Sequence, residues 1–142
     1  MKKTITKEFK FDMAHRLYDI TLGEEENKKL YGKCFNIHGH TYHLFVTVSG
    51  EEQNGMVINF IELKRIVNDV INKYDHKILL SEGDKLVLKL EEHAICIVGP
   101  TTCENQIVKI WEKIREGLEE INIVLEELKL YETETSYATL TK

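Results

Sequence analysis

Two histidines one residue apart on a strand are half of a metal site, and His38 and His40 have that spacing inside C-F-N-I-H-G-H. The T-Y-H-L-F-V-T-V that follows is rich in β-branched and aromatic residues and reads as a strand over 40–49. Residues i and i+2 of a strand project from one face, so the two imidazoles point together. Gly39 between them lets another group approach closely. His43 falls on the opposite face by the same parity and is excluded as a ligand. His15 is the best third ligand. It ends E-F-K-F-D-M-A-H, where Phe9, Phe11, Met13 and His15 share one face at period two. Three neutral imidazoles with an open fourth position describe a catalytic zinc site. Cys34 lies just before the strand, where a loop can bring its thiol beside the metal. It is either a fourth, structural ligand or a group that does chemistry.

Three further polar groupings bear on function. Asp75-His76 follows the first long helix, and a carboxylate beside an imidazole can orient it for acid–base work. Taken alone, the dipeptide is better explained by a histidine at a helix C-terminus with aspartate capping the next turn. Thr101-Thr102-Cys103-Glu104-Asn105 opens the second long helix. There Thr102 suits the N-cap and Glu104 the positive helix end, and that structural account is nearly sufficient. Glu132 ends the final strand. It is either an ordinary exposed strand end or a carboxylate able to accept two hydrogen bonds from a flat, amidine-like group.

The elements that must position these residues follow from periodicity. Strands are expected over 3–16 and 40–49, with a mobile polar loop over 18–33 around the triple glutamate and a turn from Ser49 to Gly55. Asn59 and Glu62 stand as N-cap and N3 of a helix whose stripe is Ile61, Leu63, Ile66, Val67, Val70 and Ile71, ending near Tyr74. A short helical turn and a strand from His93 to Val98 fit 84–98. A helix from Thr102 carries Ile107, Val108, Ile110, Trp111, Ile114 and Leu118, and a last strand runs from about Ile123 to Tyr131. The order β-β-α-(β)-α-β predicts one α+β domain over 1–142, with helices on one face of an antiparallel sheet.

Composition excludes several classes. The chain has 142 residues, 42% hydrophobic and 30% charged, with a net charge of −5 and no basic cluster, which argues against nucleic-acid binding. No apolar run is long enough for a membrane span, and M-K-K-T-I-T-K-E lacks the apolar core of a signal peptide. The three cysteines, Cys34, Cys96 and Cys103, show no C-x-x-C spacing and fit a reducing cytoplasm.

Together, F-x-x-A-H, C-x-x-x-H-G-H, D-H, T-x-E-N and Y-E-T occur in the order seen in the 6-pyruvoyl-tetrahydropterin synthase family, and the chain resembles that family from Phe11 to about Ala138. C-x-x-x-H-G-H is the specific part. Its three-residue spacer between Cys34 and His38 resembles the bacterial 6-carboxy-5,6,7,8-tetrahydropterin synthases of queuosine biosynthesis, as does the tail E-T-E-T-S-Y-A; the 6-pyruvoyl enzymes have a longer spacer.

The resemblance implies a tunnelling fold, a four-stranded antiparallel sheet with two helices on one face. It implies zinc on His15, His38 and His40, Cys34 as general base, and His76, oriented by Asp75, as proton relay. Glu132 would anchor the pterin, with Thr102 and Glu104 nearby. It further implies a homo-oligomer, a trimer or paired trimers, in which Asp75 and His76 serve a neighbour's Cys34. The implied substrate is 7,8-dihydroneopterin triphosphate, zinc acting as a Lewis acid on the side-chain hydroxyls. The product is 6-carboxytetrahydropterin with acetaldehyde and triphosphate, or, in the other branch, the 6-pyruvoyl compound after triphosphate elimination. Arg16 and Lys33 are unranked cations for the triphosphate. Asn59 replaces the family's usual Asp, Thr101 a frequent Pro, and Met13 a common Ala. A non-catalytic zinc module with Cys34 as fourth ligand is the alternative class.

Overall fold

The computed structural model describes residues 1–142. Strand β1 (Thr4–His15) alternates exposed polar residues with buried Phe9, Phe11, Met13 and His15, so one face enters the core. It pairs antiparallel along its whole length with β2 (His38–Ser49), in a register that sets Phe11 opposite Tyr42, Met13 opposite His40 and His15 opposite His38. Between them lie helix α1 (Glu24–Tyr31) and a 3-10 turn over Gly32–Phe35. A tight hairpin follows β2, with Asn54 and Gly55 both at positive φ, the conformation a type I′ turn needs.

Helix α2 (Phe60–Ile71) begins where the Asn59 side chain accepts the Ile61 N–H. Glu62 does not complete the expected capping box. It is drawn instead to Arg65 at 2.7 Å, one turn along the same helix. Then come β3 (Lys77–Ser81), the short α3 (Val87–Leu90), β4 (Ala94–Ile97), α4 (Cys103–Glu119), β5 (Val124–Tyr131) and β6 (Tyr137–Thr141). Helices α2 and α4 lie on one face of the sheet. Leu63, Ile66, Val67 and Val70 of one and Ile107, Ile110, Ile114 and Leu118 of the other join Phe9, Phe11, Tyr42, Leu44, Leu128 and Leu130 in a single core. Full burial of a side chain such as Leu63 or Ile114 contributes about 1.5–3 kcal/mol. The helices approach closely at Gly117, where an added Cβ would lie 2.9 Å from Ile66 Cγ2.

Several expectations are corrected. The sheet has six strands, in the order β4-β3-β1-β2-β5-β6, rather than four. It is mixed, because β3 runs parallel to β1 and β4 parallel to β3. Leu79, Leu80 and Ser81 of β3 are buried in succession without alternation, and a short strand of that kind leaves no period to read. The segment taken as a mobile loop contains α1. Its clasp is Asn27, fully buried, which accepts the Asp19 N–H at 2.7 Å and donates to the carbonyls of Asp19 and Gly23. Ile61 and Val108, placed in the two apolar stripes, are exposed. No helix is long and apolar enough to cross a membrane.

Candidate metal centre and its surroundings

The register of β1 and β2 assembles the centre. His15 and His38 face each other across the strands and His40 stands one step along, giving ring-centroid separations of 4.6, 5.2 and 4.9 Å. The fourth member comes from β5. Leu128 and Leu130 turn into the core, so Glu132, two residues on, continues that face. The hairpin to β6 holds it there through a bond from the Glu132 N–H to the Ser136 carbonyl, and Thr133 Oγ1 accepts the Ser136 N–H. The ligand atoms of His15, His38, His40 and Glu132 lie within 4.8 Å of one another.

Hydrogen bonding fixes the tautomers. His15 Nδ1 lies 2.9 Å from the Thr101 carbonyl and His38 Nδ1 lies 2.7 Å from the Asn36 carbonyl. A carbonyl only accepts, so each Nδ1 carries the proton and each Nε2 a lone pair. Glu132 Oε1 approaches Nε2 of His15 to 3.2 Å and of His40 to 2.9 Å, yet both buried nitrogens lack a hydrogen-bond partner. With its proton on Nδ1, His15 presents an Nε2 lone pair to the Glu132 carboxylate, a contact that a bound cation would relieve. Burial, chiefly, pushes His40 below its ordinary value; Glu132 opposes that effect and His15 and His38 add to it. Three imidazole nitrogens converging beside a carboxylate are a donor set that fits a divalent transition metal.

The other expected residues lie elsewhere. Cys34 is half-buried in the 3-10 turn and is not among the four clustered side chains, which weakens the fourth-ligand alternative. Its carbonyl accepts the Leu17 N–H at 2.8 Å, so the turn is pinned beside the segment that follows His15. Asp75 and His76 form a separate group with Asp12. Asp75 Oδ1 accepts the Asp12 N–H at 2.9 Å and sits 2.9 Å from His76 Nδ1, while the His76 N–H donates to the Asp12 carbonyl. His76 has a φ of 62°, a left-handed conformation for a residue with a Cβ, and its side chain is 77% exposed. By strand alternation the Asp12 side chain belongs to the face opposite Met13 and His15. One chain therefore does not unite His76 with the three-histidine cluster. Thr102 caps α4 by accepting the Asn105 N–H, and Glu104 is exposed in the first turn. Arg16 is committed to fully buried Asp84 through bonds of 2.8 and 2.6 Å and lies over the Tyr18 ring, so it has no free face for a triphosphate. Lys33 is exposed.

Thr101, noted in the sequence only for its place before the α4 cap, and Gln106 support His15. The Thr101 carbonyl accepts from both His15 and Gln106, and Thr101 Oγ1 donates to the Arg16 carbonyl at 2.9 Å. Thr101 and Gln106 carry no motif, and only the fold brings them to His15.

The comparisons with known proteins give the family. The family described as 6-pyruvoyl tetrahydropterin synthase matches residues 4–142. The chain is 42% identical over 142 residues to a 6-pyruvoyl tetrahydrobiopterin synthase of Dictyostelium discoideum, covering 96% of each. It is 34% identical over 146 residues to a 6-carboxy-5,6,7,8-tetrahydropterin synthase of Haemophilus influenzae, covering 94% of each. The solved 6-pyruvoyl tetrahydropterin synthase of Caenorhabditis elegans superposes with a TM-score of 0.79 at 28% identity, over 100% of this chain and 96% of that one. With a clustered His15, His38, His40 and Glu132 on a sheet of that shape, the chain belongs to the 6-pyruvoyl tetrahydropterin synthase family.

Proposed function

We propose that this chain is a zinc-dependent lyase acting on 7,8-dihydroneopterin triphosphate, with His15, His38 and His40 as metal ligands. One observation supports this most: buried Nε2 atoms of His15 and His40 face a shared centre without hydrogen-bond partners. Zinc bound there supplies a Lewis acid for the hydroxyl-bearing side chain of the substrate. The protein's own groups do the rest. Glu132 accepts N–H bonds from the amino-pyrimidinone edge and fixes the ring, with Thr102 and Glu104 at the rim. Cys34 Sγ takes or returns a proton at the side-chain carbon, and His76, held by Asp75, passes that proton on. In the proposed homo-oligomer, a trimer or paired trimers, Asp75 and His76 of one subunit complete the site of its neighbour. Their position beside Asp12, away from the chain's own histidine cluster, supports that division.

The three-residue spacer between Cys34 and His38 favours 6-carboxy-5,6,7,8-tetrahydropterin as product and a place in queuosine biosynthesis. A second reading, elimination to the 6-pyruvoyl compound, is favoured by the 42% identity to the Dictyostelium protein. Incubation of zinc-loaded protein with dihydroneopterin triphosphate, followed by mass spectrometry, separates them. Acetaldehyde and the carboxylated pterin support the first; a pyruvoyl side chain supports the second; unconsumed substrate sinks both.

A further inference from the structure

Gln106 is a buried amide that the proposed chemistry does not use. This amide is 3% exposed on a helix face otherwise built of Ile107, Ile110 and Ile114, and its Oε1 has no partner. A buried acceptor left unmade is costly, and an apolar residue of the same shape removes that cost. The polar group therefore persists at this position against stability. Its Nε2 donates to the Thr101 carbonyl at 2.8 Å and lies 3.3 Å from the Tyr42 hydroxyl. The first partner is the same carbonyl that accepts from His15 Nδ1. The second belongs to a ring that packs edge-on against His40 with centroids 5.7 Å apart and stacks on Phe11 at 5.1 Å. One amide thus joins the supports of two of the three histidines.

We propose that Gln106 is a positioning residue of the metal centre, setting metal affinity by holding the Thr101 carbonyl that fixes the tautomer and tilt of His15. The Thr101 linker has few other restraints on that carbonyl. Its hydroxyl ties it to Arg16, and Gln106, reaching back from α4, closes the other side. Supports of this kind typically change metal affinity 10–100-fold when removed. The inference rests on the metal reading above.

The test uses full-length protein and three readouts. Zn(II) affinity is measured by chelator competition, Co(II) loading by its d–d spectrum, and the melting temperature of the metal-free protein by calorimetry. Gln106→Met keeps the volume and removes the donor. It is expected to melt at or above the wild-type temperature when metal-free, to bind Zn(II) roughly 10–100-fold more weakly, and to shift the Co(II) spectrum. Thr101→Val, which keeps the carbonyl, is expected to lose less affinity than Gln106→Met. Wild-type affinity and spectrum in Gln106→Met overturn the positioning role alone. A wild-type chain that takes up neither metal overturns both this role and the metal reading. A metal-free Gln106→Met that melts well below wild type makes Gln106 a fold determinant and overturns the proposal. If Gln106→Met does not fold, Gln106→Leu replaces it, and failure of both overturns the proposal on the same ground.

Discussion

At the scale of single residues, the centre is defined by what each ring nitrogen can still do. His15 and His38 each donate the Nδ1–H to a carbonyl, which leaves the Nε2 lone pair free for a metal. His15→Ala and His38→Ala are each expected to lose bound zinc, as read by metal analysis after gel filtration; full retention in either removes that residue from the ligand set. The pH dependence of the metal-free protein follows from the groups that shift. His40 is held below 6.5, so on acidification the unfolded chain takes up this proton before the folded one does. In that interval the unfolded state binds more protons, and stability falls as pH falls. The melting temperature in chelator is therefore expected to decline below about pH 6.5, and less steeply there in His40→Gln. A melting temperature that rises through that interval means a protonated His40 in the fold. Glu132 itself has two candidate partners, metal and pterin. Glu132→Gln sets an N–H against the substrate's N–H and is expected to cost on the order of 2–3 kcal/mol in kcat/KM. Zinc content should be close to wild type. Loss of metal instead of substrate specificity would move Glu132 into the ligand set.

At the scale of elements, caps and hairpins decide where these residues end up. Asn59 occupies the N-cap of α2, and its Oδ1 accepts the Ile61 N–H at 2.8 Å. Asn59→Ala is expected to destabilise the fold by about 1 kcal/mol and Asn59→Asp to leave it unchanged, both by denaturant titration. Equal midpoints for all three proteins would show that α2 is held by its buried face alone. What was legible in the sequence follows the strength of the local signal. The period-two run into His15, the H-G-H strand and the apolar stripes of α2 and α4 were readable, because each buries one face and exposes the other. The three-histidine convergence was readable for the same reason. The helix α1 was not, since only Asn27 of its eight residues is buried and no stripe exists. Strand β3 lacked alternation, and β6 is a short edge strand whose pairing to β5 only the hairpin at Glu132 to Ser136 reveals. The support of His15 by Thr101 and Gln106 was invisible because it joins residues 86 positions apart.

At the scale of the whole molecule, the separation of Asp75 and His76 from the histidine cluster becomes an argument about assembly. The two groups sit beside Asp12, with the His76 imidazole largely in solvent. If one subunit supplied every group of its own site, that imidazole would have to leave Asp12's face of the sheet to join the histidine cluster. Its backbone opposes this, since the His76 N–H is bonded to the Asp12 carbonyl at 2.7 Å and Asp75 to the Asp12 N–H at 2.9 Å. A neighbouring subunit that brings its own Cys34 to the exposed imidazole needs no such movement. The two arrangements differ in what mixed assemblies can do. Cys34→Ala and His76→Ala are each expected to be nearly inactive alone while retaining zinc. When the two are dissociated, mixed in equal amounts and reassembled, a shared site takes its thiol from one subunit and its imidazole from another. Half the thiols and half the imidazoles are intact, so random mixing is expected to restore about a quarter of wild-type activity per site. If each subunit were self-sufficient, every subunit in the mixture would carry one defect, and no activity would return at any ratio. Reassembly is verified independently by the mass of the mixed oligomer, so an inactive but fully mixed assembly would count against the shared site rather than against the experiment.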